Sequence, residues 1–123
     1  MSKTILVIED NEQNMYLVTF ILEKHDYRVL QSQTGKEGLS LAKENQVDLI
    51  LLDIQLPELD GYAIASMIRE VEKLKTIPMI AVTSYAMSGD REKALASGCT
   101  GYIEKPINPD TFMKEVQQFL NKT

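Results

Sequence analysis

The stretch "DLILLDIQLPELDG", residues 48–61, decides the fold. Leu49-Ile50-Leu51-Leu52 is an unbroken apolar run, the pattern of a strand covered on both faces. Asp53 follows it directly. An unpaired charge at the end of a core strand is costly, so this carboxylate needs company.

Working outward, Ile5-Leu6-Val7-Ile8 and Met79-Ile80-Ala81-Val82 have the same character, and Gly101-Tyr102-Ile103 is a shorter version. Tyr27-Arg28-Val29-Leu30-Gln31-Ser32 is more polar and reads as an edge strand. Helical patterns separate these runs. Asn14 to Lys24 carries Met15, Val18, Ile21 and Leu22 on one stripe. Thr34-Gly35-Lys36-Glu37 is a capping box before Leu39, Leu41 and Ala42. Asp60 caps a helix carrying Ile64, Met67, Ile68 and Val71. Ser88 or Asp90 starts another, with Ala94 and Leu95 expected to face inward and Gly98 at its end. Asn108-Pro109 opens the last, which places Phe112, Met113, Val116, Phe119 and Leu120 on one face. Strand and helix alternate five times, which implies an α/β, doubly wound, five-stranded parallel sheet. The order 2-1-3-4-5 puts the polar second strand at an edge, as in flavodoxin-like folds.

A chain of 123 residues, 44% hydrophobic and 25% charged, suits one domain spanning 1–123. Its net charge of -5 argues against direct nucleic-acid binding. With Cys99 as the only cysteine, an intramolecular disulfide and a CxxC site are both excluded, and Cys99 reads as a small core residue. The N-terminal apolar run is too short for a signal segment, and no stretch approaches a membrane span. The expectation is a cytoplasmic domain with no membrane partner.

The residues that follow the apolar runs carry the chemistry. The first run ends in Glu9-Asp10-Asn11, the third in Asp53, the fourth in Thr83-Ser84 and the fifth in Glu104-Lys105-Pro106. Open parallel sheets bind ligands at the carboxyl ends of their strands, where the strand order reverses. Strands one and three flank that reversal, and both carry acids there. Acids gathered at one place raise one another's pKa unless a cation joins them. Oxygen donors without His or Cys favour Mg2+. Lys105 supplies an ammonium and Thr83 a hydroxyl. Together they make a receptor for a phosphoryl group, with Asp53 as the nucleophile. Each residue alone has an ordinary explanation as a cap, a turn or a solvated loop residue. Four strand ends on the same side do not share one. His25, beside Asp26 late in the first helix, reads as a cation near a helix C-terminus rather than a phosphorelay histidine.

The segments "LVIEDN", "DLILLDIQLPELDG", "VTSYAMSGDREKALASG" and "YIEKPI" resemble the receiver domain of two-component response regulators over nearly the whole chain. The segments "ELDG" and "AMSGD", without an output domain, are similar to stand-alone receivers of the DivK-like kind. The resemblance implies that Glu9 and Asp10 hold magnesium, Glu9 partly through water, and that Gln55 adds its backbone carbonyl. It implies that Asp53 is the phosphoacceptor, Lys105 the phosphate-binding lysine, Thr83 the switch hydroxyl and Tyr102 the switch aromatic. It implies a Lys105-Pro106 bond that is often cis. Gln55 and Tyr85 fall where the family varies the lifetime of its acyl phosphate. The implied function is a phosphorylation-activated switch rather than a turnover enzyme. Its donor is a sensor histidine kinase or phosphotransfer protein. Its output is a changed helix 4–strand 5–helix 5 surface that regulates a downstream protein target, as a monomer or a phosphorylation-dependent dimer.

Three other readings fit the sequence less well. A flavin or nucleotide carrier needs a phosphate-cradling loop after strand one, where "EDNEQN" repels phosphate. A hydrolase turning over through an aspartyl phosphate wants a second acid where Gln55 stands. A degenerate receiver that binds partners unphosphorylated stands against an intact Asp53, Lys105 and acidic pair.

Overall fold

The computed structural model describes residues 3–56, 60–84 and 89–120. In chain order it contains β1 (Thr4–Ile8), α1 (Glu12–Lys24), β2 (Arg28–Ser32), α2 (Gly35–Glu44), β3 (Leu49–Asp53), α3 (Gly61–Glu70), β4 (Met79–Thr83), α4 (Asp90–Ala96), β5 (Gly101–Glu104) and α5 (Pro109–Leu120). A single 3-10 turn, Glu72–Leu74, lies between α3 and β4. The strands form one parallel sheet in the order β2-β1-β3-β4-β5.

Strand alternation divides the core into two layers. Ile5, Val7, Leu49, Leu51, Ile80, Val82 and Ile103 pack against α1 and α5. Leu6, Ile8, Ile50, Leu52, Met79 and Ala81 pack on the other side against Ala42, Ile64, Ile68 and Ala94 of α2, α3 and α4. Every residue of β1, β3 and β4 is buried, whereas β2 at the edge is half open, as their compositions require.

The helix starts follow local chemistry. Asn11 caps α1 by accepting from the Asn14 amide at 2.9 Å, so the helix begins at Glu12, before the first residue of its apolar stripe. Thr34 Oγ1 accepts from the Glu37 amide at 3.1 Å, and Asp60 Oδ1 from the Tyr62 amide at 3.0 Å. Asn108 Oδ1 accepts from the Asp110 amide at 2.9 Å, with Pro109 as the first helical residue. His25 stands at the C-cap of α1, its Nδ1 2.9 Å from the Ile21 carbonyl, in the end-of-helix role expected of it.

Two side chains depart from expectation. Leu95 is 47% exposed, because α4 is seven residues long and its inward position is taken by Ala94. Met67 is 40% exposed, one step off the Ile64–Ile68 stripe, while Met15, Met79 and Met113 fill core as expected. Ser88 and Tyr85 lie outside the described residues.

Arg69, near the end of α3, is a structural node. Its Nε donates to the Gly98 carbonyl at 2.7 Å, its Nη1 to the Leu74 and Ile77 carbonyls at 2.7 Å each, and its Nη2 to Thr100 Oγ1 at 3.2 Å. It ties the end of α3 to the start of β4 and to the α4–β5 turn, where Gly98 has φ +107°.

Candidate functional site

The site lies at the carboxyl ends of β1, β3, β4 and β5. Glu9 follows β1 and Asp53 ends β3, and alternation directs both to the α1/α5 face. Beneath them Val7, Leu51, Val18, Val82 and Phe112 make an apolar floor. Glu9 and Asp53 are buried, at 4% and 3% exposure, while Asp10 is open to solvent.

Lys105 comes from the other end of the chain to meet them. Its main-chain amide donates to the Thr83 carbonyl at 2.7 Å, which fixes the β5 end against β4. Its Nζ then reaches Glu9 Oε1 at 2.9 Å and Asp53 Oδ2 at 3.4 Å. Burial works to lower the Lys105 pKa, but the hydrogen bond to Glu9 and the charge of Asp53 outweigh it, and the net shift is upward. Burial, then the hydrogen bond and charge of Asp53, push Glu9 up from 4.5 to about 7, with Lys105 acting against them. One ammonium thus serves two buried carboxylates, and Glu9 absorbs the surplus negative charge.

Oxygen atoms of Glu9, Asp10 and Asp53, one from each, lie within 4.8 Å of one another. The donor set is all carboxylate, with no nitrogen or sulfur, and it fits a hard divalent cation. Gln55 stands just beyond. Its amide donates to Asp53 Oδ1 at 2.8 Å, and its side-chain Oε1 accepts from the Ser84 amide at 3.0 Å. Gly61 lets α3 begin tight against this loop. Its amide donates to the Ile54 carbonyl at 3.2 Å, and a Cβ there would meet the Ile54 and Asp53 carbonyl oxygens at 2.8 and 2.9 Å.

The structure therefore brings Glu9, Asp10, Asp53, Gln55 and Lys105 together. Thr83 ends β4 beside them and is buried, but alternation places it on the sheet face of Met79 and Ala81. Tyr102 lies half-buried on that same face, its Cα paired with Ala81. The Lys105-Pro106 peptide bond is cis. The Gln55 side-chain contact was not legible in the sequence, because its partner is a main-chain amide common to every residue type.

Residues 5–117 match the response regulator receiver domain family, and the chain belongs to it. It is 42% identical over 120 residues to the polar-differentiation response regulator DivK of Brucella ovis, covering 98% of each chain. Among solved structures, it resembles the receiver domain of sensor histidine kinase PA1611 from Pseudomonas aeruginosa PAO1, which has a magnesium ion coordinated in its active-site cleft. The TM-score is 0.91 at 33% identity, covering 99% of this chain and 100% of that one. A further match, TM-score 0.87 at 30% identity and covering 96% of this chain and 88% of the other, comes from a Saccharomyces cerevisiae co-crystal. That structure holds a histidine phosphotransfer signaling protein and the receiver domain of its downstream response regulator. The general function of the family is that of a phosphoryl-accepting signalling switch. Among the described residues, no helix is long and apolar enough to cross a membrane.

Proposed function

We propose that residues 1–123 act as one receiver that takes a phosphoryl group on Asp53 and reports it through the α4–β5–α5 surface. The observation that carries this reading is Lys105 Nζ, held 3.4 Å from Asp53 Oδ2 and 2.9 Å from Glu9 Oε1 at the ends of separate strands. Glu9, Asp10 and Asp53, with the Gln55 backbone carbonyl, would hold Mg2+, which when bound neutralises charge on the incoming phosphoryl oxygens. The magnesium of the Pseudomonas relative supports this assignment.

An Asp53 carboxylate oxygen attacks phosphorus of a phosphohistidine. A P–O bond forms, the P–N bond breaks, and the imidazole nitrogen keeps the electron pair and takes up a proton. Lys105 pairs with the new phosphoryl charge, and positioning and charge account for the chemistry without a general base. The donor is a sensor histidine kinase or a phosphotransfer protein, as the complex of the yeast relative supports. Thr83 moves toward the phosphoryl oxygens, Tyr102 turns inward behind it, and the surface presented to a downstream protein changes. The chain is a switch rather than a turnover enzyme. It works in the cytoplasm, and as a monomer or a phosphorylation-dependent dimer.

Incubation with acetyl phosphate and magnesium, followed by intact-mass measurement, tests this. The parent gains one phosphoryl group and Asp53→Asn gains none. A folded parent with no adduct refutes the proposal.

A further inference from the structure

Two large apolar side chains stand well exposed next to each other on α1, Tyr16 at 72% and Phe20 at 53%. They are one helical turn apart, and their rings stack with centroids 6.3 Å apart and planes 17° from parallel. Lys24, one turn further on, places Nζ 5.9 Å from the Phe20 ring centre. Glu12, one turn before Tyr16, completes the row Glu12-Tyr16-Phe20-Lys24. The row runs along the face opposite the core stripe of Met15, Val18, Ile21 and Leu22. The exposed residues of α1 are Glu12, Gln13, Tyr16, Phe20, Glu23 and Lys24. Turning the helix end for end about its middle exchanges Glu12 with Lys24, Gln13 with Glu23 and Tyr16 with Phe20. The exposed set maps onto itself, acid onto base and ring onto ring. A two-fold contact between identical surfaces requires that self-complementarity, and a contact with a different protein does not.

We propose that the Glu12-Tyr16-Phe20-Lys24 row is a docking surface for a second copy of this chain, the two α1 helices crossing antiparallel about a two-fold axis. Rows at four-residue spacing pack along one another at about -50°, the commonest helix-crossing class. In that crossing the aromatic pair of one copy covers the pair of the other, and each Glu12 faces the other copy's Lys24. A covered aromatic ring buries roughly 150–250 Å², so at these exposures the rings supply about 500 Å² over both copies. Stable interfaces need about 1,200 Å² or more, which makes this contact a weak one, with a dissociation constant on the order of 0.1 mM. It joins copies that are concentrated or tethered at one place and leaves dilute chains single. The α4–β5–α5 surface stays open in both copies. The pairing requires no change at Asp53, so it is expected with or without phosphorylation and does not rest on the phosphoryl-acceptor reading.

Sedimentation velocity of the full chain at low salt, from about 20 µM to 1 mM, tests the proposal. The sedimentation coefficient is expected to rise with concentration toward that of a dimer. Tyr16→Gln combined with Phe20→Gln changes only exposed side chains, so the fold is kept, as circular dichroism checks, and association is expected to weaken at least about tenfold. Glu12→Lys alone and Lys24→Glu alone each set like charges against each other at both ends of the contact and are expected to weaken it about fivefold. The two reversals together restore opposite charges and are expected to return association to within about twofold of the parent. A parent that stays monomeric throughout overturns the proposal and leaves the row to a partner of another kind. A dimer that survives loss of both rings is built on another face, which also overturns it. A double reversal no better than the single ones overturns the antiparallel register on which the proposal stands.

Discussion

In the absence of divalent cation, the protein is expected to lose stability as pH rises from about 4.5 to 7, and the loss is expected to map to Glu9. Glu9 is buried behind Lys105 and beside Asp53, and its pKa rises from 4.5 to about 7. Across that window the folded chain keeps a proton that the unfolded chain has released. Stability falls with pH wherever the native state binds more protons, so the sign is negative. One pKa unit is worth about 1.4 kcal/mol, which makes the full effect about 3 kcal/mol. The perturbation is Glu9→Gln, which keeps the shape and removes the titration. Urea denaturation in the presence of chelator, at several pH values between 4.5 and 8, measures it. Titrating groups remote from Glu9 behave alike in both proteins and cancel in the difference. Parent stability relative to the variant should fall by about 3 kcal/mol from the acid to the alkaline end. Magnesium added at the alkaline end should restore more stability to the parent than to the variant. Curves that run parallel within about 0.5 kcal/mol would refute the account of how charge is balanced at this site.

The remaining predictions concern the frame around the site. Arg69→Met removes donors from three carbonyls and a hydroxyl and should cost about 3 kcal/mol in urea denaturation; a loss below about 1 kcal/mol would contradict the node. Gly61→Ala drives a methyl into the main chain at the end of β3 and should destabilise by about 2 kcal/mol while slowing phosphoryl uptake from acetyl phosphate; parental values for both would show that the loop yields freely. The Cys99 thiol is buried, and that burial pushes its pKa up to about 11 against a smaller opposing effect of Arg69, so iodoacetamide at mildly alkaline pH should label the native chain only as it unfolds. Rapid labelling of the folded protein would contradict that burial.

The strands were legible because a strand covered on both faces must be apolar at successive positions, and Leu49-Ile50-Leu51-Leu52 is. The edge position of β2 was legible for the converse reason. The helix caps Thr34, Asp60 and Asn108 were legible because capping selects side-chain oxygens at one position. The outward turn of Leu95 and Met67 was not, since a short apolar stripe has a margin on either side and packing decides which residue crosses it. Arg69 left no mark for a different reason. Its partners are mainly carbonyl oxygens, which every residue carries, so no spacing of residue types announces them.

For this chain, residue order alone determined the alternation of strand and helix, the parallel sheet, and which acids, lysine and hydroxyl stand at the strand ends. Those properties depend on periodicity and on residue type, both of which are local. Only the tertiary structure decided that one lysine would serve Glu9 and Asp53 together, that Glu9 would hold its proton toward neutral pH, and that Gln55 would close the gap to Ser84. Each of these depends on distances of a few ångströms between groups brought together by the sheet, and on how far water is kept from them.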